Sequence, residues 1–275
     1  MLKKIERARL FLAENVQKLR CPICHDVLAL ADHSLICPSH HHTYDLNKKG
    51  YVNFLQTAPD TQHYTRKMFE PRRRLIQSGM YEGLLAEIQA LLTGDCLLDV
   101  GTGEGSFLQL LNFERGKKFA FDIAKDGIEM ATELDMTAFF SLSDLTNLPF
   151  ADNSMTTVLN ILTPSNYAEF RRVLPASGRL IKVLPDKYYL QELRQSYGMT
   201  LNHDNSAVVS RFSQEFPNFE QKEIHYEFTI PEKLRKDFLE MSPLEWAVSE
   251  KVKSAALKNP PKKATIDLRL LIGQT

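Results

Sequence analysis

From Cys96 to Leu184 short apolar runs alternate with amphipathic ones, and this alternation constrains the fold more than any other feature. "CLLDV", "KFAFDI", "AFFSLSD", "MTTVLNIL" and "GRLIKVL" read as strands. "FLQLLNF", "GIEMATEL" and "SNYAEFRRVL" read as the helices between them. Strand and helix in turn specify an α/β chain with a doubly wound sheet of mostly parallel strands. Two later runs, "KEIHYEFTI" and "KATIDLRLLI", flank the helical "EKLRKDFLEM" and are expected to add an edge hairpin to the same sheet. A chain of 275 residues has room for one such domain plus a small module. Its apolar fraction of 43% and charged fraction of 25% are ordinary for a globular protein. No run is apolar enough to span a membrane. The opening "MLKKIERARLFLAENVQKLR" carries acids and lacks an apolar core, so a short amphipathic helix is expected and not a secretory signal.

The first strand runs into "LLDVGTGEG", which places Gly101, Gly103 and Gly105 at its carboxyl end, where open α/β sheets bind ligands. A dinucleotide loop favours G-x-G-x-x-G, because a pyrophosphate docks on the helix N-terminus. Here the spacing is G-x-G-x-G, with Asp99 before it and Glu104 inside it. Two carboxylates repel a pyrophosphate. They suit a ligand with a cationic end, such as the amino group and sulfonium of S-adenosylmethionine. Asp122 ends the next strand about twenty residues on, where an acid accepts bonds from ribose hydroxyls. Asp144 ends the third, where it could meet an adenine amino group.

Ahead of this region lies "CPICHDVLALADHSLICPSHHHTYD". Cys21 and Cys24 form a C-x-x-C knuckle, and Cys37 follows. A structural zinc needs a fourth ligand, for which His40, His41 and His42 are the candidates. The segment is too poor in large apolar residues to hold its own fold, and metal binding supplies that free energy. Clustered thiols without a disulfide framework point to a reducing compartment, the cytoplasm. The net charge of zero is unevenly spread: residues 1–74 carry 13 Lys or Arg against 7 Asp or Glu. A basic front half suits an anionic partner. Lys48, Lys49, Arg66, Lys67, Arg72, Arg73 and Arg74 are the candidates to meet phosphates.

The loop and its three acids resemble the class I S-adenosylmethionine-dependent methyltransferases. Together with "CPIC", "HTYDLNKKGYVNFL" and "RRRLIQSGMY", the chain from Cys21 onward resembles the RlmA family, bacterial enzymes that methylate N1 of a guanine in 23S ribosomal RNA. The resemblance implies a class I methyltransferase, Rossmann-like, with a small N-terminal zinc-binding module. It implies His42 as the fourth zinc ligand, from "HTYD"; the gap from Cys37 is one residue longer than expected, which keeps His41 as the alternative. It also implies cofactor contacts at Tyr81, Gly103 and Glu104. Where the family tends to carry a His after the fifth strand, this chain has Tyr189.

The expected organisation is a helical extension over 1–20, a zinc-ribbon RNA-recognition module over 21–50, a linker with helices over 51–94, and the methyltransferase domain over 95–275. The target base is expected at "NILTPSNY", with Asn160, Thr163 and Ser165 on its edge. No carboxylate or His there is an evident base, so the catalytic residue is left unassigned. Two rival readings share these motifs: a small-molecule methyltransferase, and a non-catalytic RNA-binding protein with a retired fold. The expected partner is 23S rRNA, with no membrane and with a homodimer left open.

Overall fold

The computed structural model describes residues 2–114, 116–200 and 204–275. Four short strands come first: β1 (Ala29–Ala31), β2 (Ser34–Ile36), β3 (Thr43–Asp45) and β4 (Tyr51–Asn53). Then follow β5 (Cys96–Val100), β6 (Lys117–Asp122), β7 (Phe139–Leu142), β8 (Thr157–Ile161), β9 (Arg179–Pro185), β10 (Glu220–Thr229) and β11 (Lys263–Gln274). The first three make a small antiparallel sheet, and the other eight form one sheet in the order β10-β11-β9-β8-β5-β6-β7-β4. β4 to β9 run parallel, while β11 lies antiparallel between β9 and β10. The late pair therefore does form an edge hairpin on the main sheet.

β5, β7 and β8 are buried along their whole length, as expected of parallel strands covered on both faces. One face is covered by α2 (Arg66–Gln77), α3 (Glu82–Leu91), α7 (Gln191–Ser196) and α9 (Arg235–Glu240), which contribute Leu75, Leu84, Ile88, Leu193 and Phe238 to its core. The other core takes Phe11 and Leu12 from α1 (Lys4–Asn15), Phe170 from α6 (Tyr167–Val173) and Phe212 from α8 (Ser206–Glu215). α4 (Ser106–Leu110) and α5 (Lys125–Ala131) follow the loops after β5 and β6, and α10 (Glu250–Lys258) precedes β11. The chain breaks between α2 and α3 at Gly79, whose φ of 93° suits glycine. No helix among the described residues is long and apolar enough to cross a membrane.

The front of the chain is sewn into the main sheet. Residues 51–53 fall in the stretch expected as linker and helices, yet they form an edge strand beside β7, in register Tyr51↔Phe140 to Asn53↔Leu142. On α1, Phe11 meets Phe119 edge-on at 5.3 Å and stacks with Phe139 at 6.4 Å. Leu19 bridges to Phe150. Arg20 pairs with Glu169 at 3.7 Å and Asp152 at 3.6 Å, and Asn147 donates to the Pro22 carbonyl at 2.6 Å. Gly50 turns with φ of 84° against α1, where a Cβ would lie 2.8 Å from the Lys4 carbonyl oxygen.

Candidate active site and metal centre

The strand order reverses between β5 and β8, the topological switch point at which such sheets bind ligands. A cavity of about 770 Å³ opens there. Its floor is the loop Asp99–Gly103, its sides are Asp122–Ile123, Ser143–Leu145 and Ile161–Pro164, and its rim includes Tyr64, Arg72, Tyr189 and Leu244. Gly101 sits at φ 65° with Thr163 so close that a Cβ would lie 2.5 Å from its Oγ1. Only glycine lets the β5 and β8 loops meet in this way.

Asp122 accepts the backbone N–H groups of Gly103 at 2.7 Å and Ala124 at 2.8 Å, one on each oxygen, leaving further lone pairs toward the cavity. Asp144 caps its own turn, with Oδ1 accepting from the Thr146 N–H and hydroxyl at 2.7 Å. Asp99 is buried, and neither its Oδ2 nor the Thr102 hydroxyl beside it makes a hydrogen bond of normal geometry, although the hydroxyl is near enough to draw the carboxyl's proton affinity down somewhat. An orphaned buried carboxylate oxygen is costly unless a ligand satisfies it. A cationic ligand group fits it, as the expected cofactor requires.

Burial pushes the Asp99 carboxyl up to about 6, and the charges of Asp122 and Glu104 add to it. Two signs follow. In the ligand-free protein the raised value favours the folded state on the acid side, and this contribution is lost as pH rises through about 6. Cofactor binding runs the other way, because an ammonium needs the ionised form. Affinity for S-adenosylmethionine is expected to drop by about tenfold per pH unit below that value. Titration calorimetry from about pH 7 to about pH 5 reads this. An equal slope in Asp99→Asn would show that another group is responsible.

Two expected contacts lie elsewhere. The Glu104 carboxylate does not line the cavity: Arg73 holds it at 2.7 Å and Ser106 donates to it at 2.7 Å. A charge neutralised in this way offers a ligand its backbone and not its carboxylate. Tyr81 is fully buried behind the wall, its hydroxyl 2.7 Å from that of Tyr189, so it reaches the cavity through Tyr189. The target-base residues also differ from expectation. Asn160 and Ser165 turn inward to Lys182, whose ammonium donates to Asn160 Oδ1 at 2.6 Å, Ser165 Oγ at 2.7 Å and the Thr163 carbonyl at 3.3 Å. Of the three, only Thr163 lines the cavity. Lys182 is 3% exposed, and burial pulls its ammonium down to about 8. A lysine inside the apolar run "GRLIKVL" was the signal for it. Beside these contacts, Leu162 carries φ of 55°, a strained left-handed backbone in a non-glycine residue.

The basic stretch is largely self-neutralised. Lys49 pairs with Glu129 at 2.5 Å, Arg66 with Glu133 at 2.7 Å and Arg74 with Asp237 at 2.7 Å. Sequence reasoning also missed an aromatic group at the rim. His63 stacks on Trp246 at 5.0 Å, and Tyr64 meets Trp246 edge-on at 4.9 Å.

The metal module is built from two matching knuckles. In the first, the Cys21 carbonyl accepts from the His25 N–H at 2.9 Å and the Cys21 N–H donates to Asp26 at 2.8 Å. In the second, Cys37 makes the same two bonds with His41 and His42, both at 2.8 Å. His25 and His41 each take the left-handed turn this requires, with φ of 64° and 57°. The extra residue before His42 is thereby spent on the turn. The ligand atoms of Cys21, Cys24, Cys37 and His42 lie within 4.8 Å of one another, while His41 is exposed outside the group. Cys24, Asp26, Cys37 and His40 also gather within that distance. Three thiols and an imidazole match the donor set of a structural zinc.

The switch-point cavity and the glycine loop define a class I S-adenosylmethionine-dependent methyltransferase, and residues 98–183 match the family model described as "Methyltransferase domain". Residues 19–58 match the model described as "RlmA, N-terminal". The Bacillus subtilis (strain 168) protein YxjB, assigned by name as a 23S rRNA (guanine-N(1)-)-methyltransferase, is 35% identical over 92% of this chain and 96% of its own. The 23S rRNA (guanine(748)-N(1))-methyltransferase of Streptomyces fradiae is 28% identical, covering 84% and 86%. The chain belongs to the RlmA family of 23S rRNA (guanine-N1)-methyltransferases. Its cofactors are S-adenosylmethionine and a structural zinc.

Proposed function

We propose that this chain methylates N1 of a guanine in a hairpin of 23S ribosomal RNA. The observation that carries the reading is the Cys₃His module joined through β4 and α1 to a sheet whose switch-point cavity holds an unpaired buried acid. S-adenosylmethionine supplies an electrophilic methyl on its sulfonium. Asp99, Asp122, Asp144, Tyr189 and the backbone of Gly101 and Gly103 hold it, with Tyr81 bracing Tyr189 and Glu104 locking the loop through Arg73. Cys21, Cys24, Cys37 and His42 hold the zinc. Residues 21–50 serve as the RNA-recognition module and residues 95–275 as the catalytic domain, which residues 51–94 complete with β4, α2 and α3 and the helical extension of residues 1–20 braces through α1.

N1 is protonated and lies on the Watson–Crick edge, so the base must leave its helix to react. The Ile161–Pro164 wall offers it no carboxylate or imidazole. The N1 proton therefore passes to water as the methyl arrives, and alignment carries the rate, with Lys182 fixing the Thr163 segment from below. Function on ribosomal RNA supports a cytoplasmic location; a homodimer is compatible with the reading, and light scattering measures it.

An N1 methyl blocks pairing with cytosine, so reverse transcriptase is expected to stop one nucleotide before the site. Ribosomal RNA from cells lacking the gene should read through, and purified protein with cofactor should restore the stop. The same stops with and without the gene would exclude this substrate. Methyl transfer to a small molecule alone would support the metabolic rival.

A further inference from the structure

Three consecutive arginines on α2 meet three different fates. Arg73 is bound to Glu104 and Arg74 to both oxygens of Asp237. Arg72 lines the cavity, its guanidinium 5.7 Å from the centre of the Phe107 ring. No carboxylate among the described residues lies within ion-pair distance of it, although its charge acts on Asp99, Asp122 and Tyr189 across the cavity. The cavity floor thus holds a buried acid with one unbonded oxygen, and its wall presents an unpaired guanidinium. Asp99 and Arg72 do not satisfy each other. Together they match a ligand that carries both charges, the zwitterionic end of an α-amino acid.

We propose that Arg72 binds the α-carboxylate of the methionyl end of S-adenosylmethionine, while Asp99 takes its α-ammonium. This rests on reading the cavity as the cofactor site and not on the identity of the RNA. A planar guanidinium suits a carboxylate because it offers two parallel donors. Arg194 is the other cation on the wall, but its Nε is engaged with the Tyr189 carbonyl at 3.3 Å.

Calorimetry on the full zinc-loaded chain tests the assignment, with S-adenosylmethionine and its decarboxylated analogue as probes. The parent is expected to prefer the carboxylate-bearing ligand by about tenfold to a hundredfold, the range of a charged hydrogen-bonded contact. Arg72→Gln should weaken S-adenosylmethionine by that factor and leave the decarboxylated analogue unchanged. Unchanged binding of the analogue also shows that the variant is folded. Arg72→Lys should keep part of the preference. Equal weakening of both ligands would reduce Arg72 to a structural role and overturn the proposal. So would a preference that survives in Arg72→Gln, or one that vanishes instead in Arg194→Gln. If the parent shows the preference yet leaves ribosomal RNA unmethylated, the RNA reading fails and this assignment stands.

Discussion

Cys37→Ser is expected to empty the metal centre and unfold the module around it. The small sheet has almost no core of its own: β1 buries none of its residues, and β3 buries only Tyr44. Cys37 is itself fully buried, and its backbone anchors the second knuckle. In modules of this kind the binding free energy of zinc, about 10–16 kcal/mol in isolated zinc-finger peptides, is folding free energy. That matches or exceeds the whole stability of an ordinary domain, roughly 5–15 kcal/mol. The measurement is zinc per chain by atomic absorption, with amide exchange over residues 29–45. Parent protein should hold one zinc and protect those amides, and the variant should do neither. His41→Ala should keep its metal, since His41 contributes a backbone turn and its ring lies outside the cluster. A variant at Cys37 that retains full zinc and full protection would disprove the ligand set.

Removing residues 1–18 should cost less, and the loss should fall on the catalytic domain. Phe11 is buried on the outer face of the sheet against Phe119 and Phe139, Leu12 is buried in the same core, and the deletion also strips Leu19 of part of that core. Burying an aromatic or aliphatic side chain is worth roughly 1.5–3 kcal/mol, so these positions together contribute on the order of 5 kcal/mol. The truncated chain is expected to unfold at a much lower temperature and to aggregate through the bared phenylalanines. Cofactor affinity should fall with it, because Phe119 lies on β6, the strand that carries Asp122. A truncated chain with parental melting temperature and cofactor affinity would show that α1 is dispensable. The same packing means that deleting residues 1–50 cannot separate RNA recognition from catalysis. Substitution of exposed Lys48 and Lys67 is the cleaner dissection.

Local signals were legible and remote ones were not. The β5 loop, the strand end at Asp122 and the Cys21–Cys24 knuckle could be read because strand ends, glycines and C-x-x-C act over a few residues. Glu104 could not, because the Arg73 that turns it away lies 31 positions earlier in the chain. Asn160 and Ser165 were misplaced for the same reason, since Lys182 reaches them from the neighbouring strand. β4 is three residues long, too short to show periodicity, and its partner is far along the sequence. The arginine triplet was open to a better reading. Successive helical residues point about 100° apart, so three in a row cannot form one phosphate-binding face.

The rim aromatics have a practical consequence. The chain contains one tryptophan, Trp246, half-buried between His63 and Tyr64 at the cavity mouth, with Met68, Phe69 and Met130 beneath it. Its indole emission is therefore a label-free optical gauge of that mouth, with no second indole to dilute the signal. A ligand that settles against Tyr64 alters the ring's surroundings while the protein stays folded. Denaturation, which strips the whole cluster, shifts the same emission to the red.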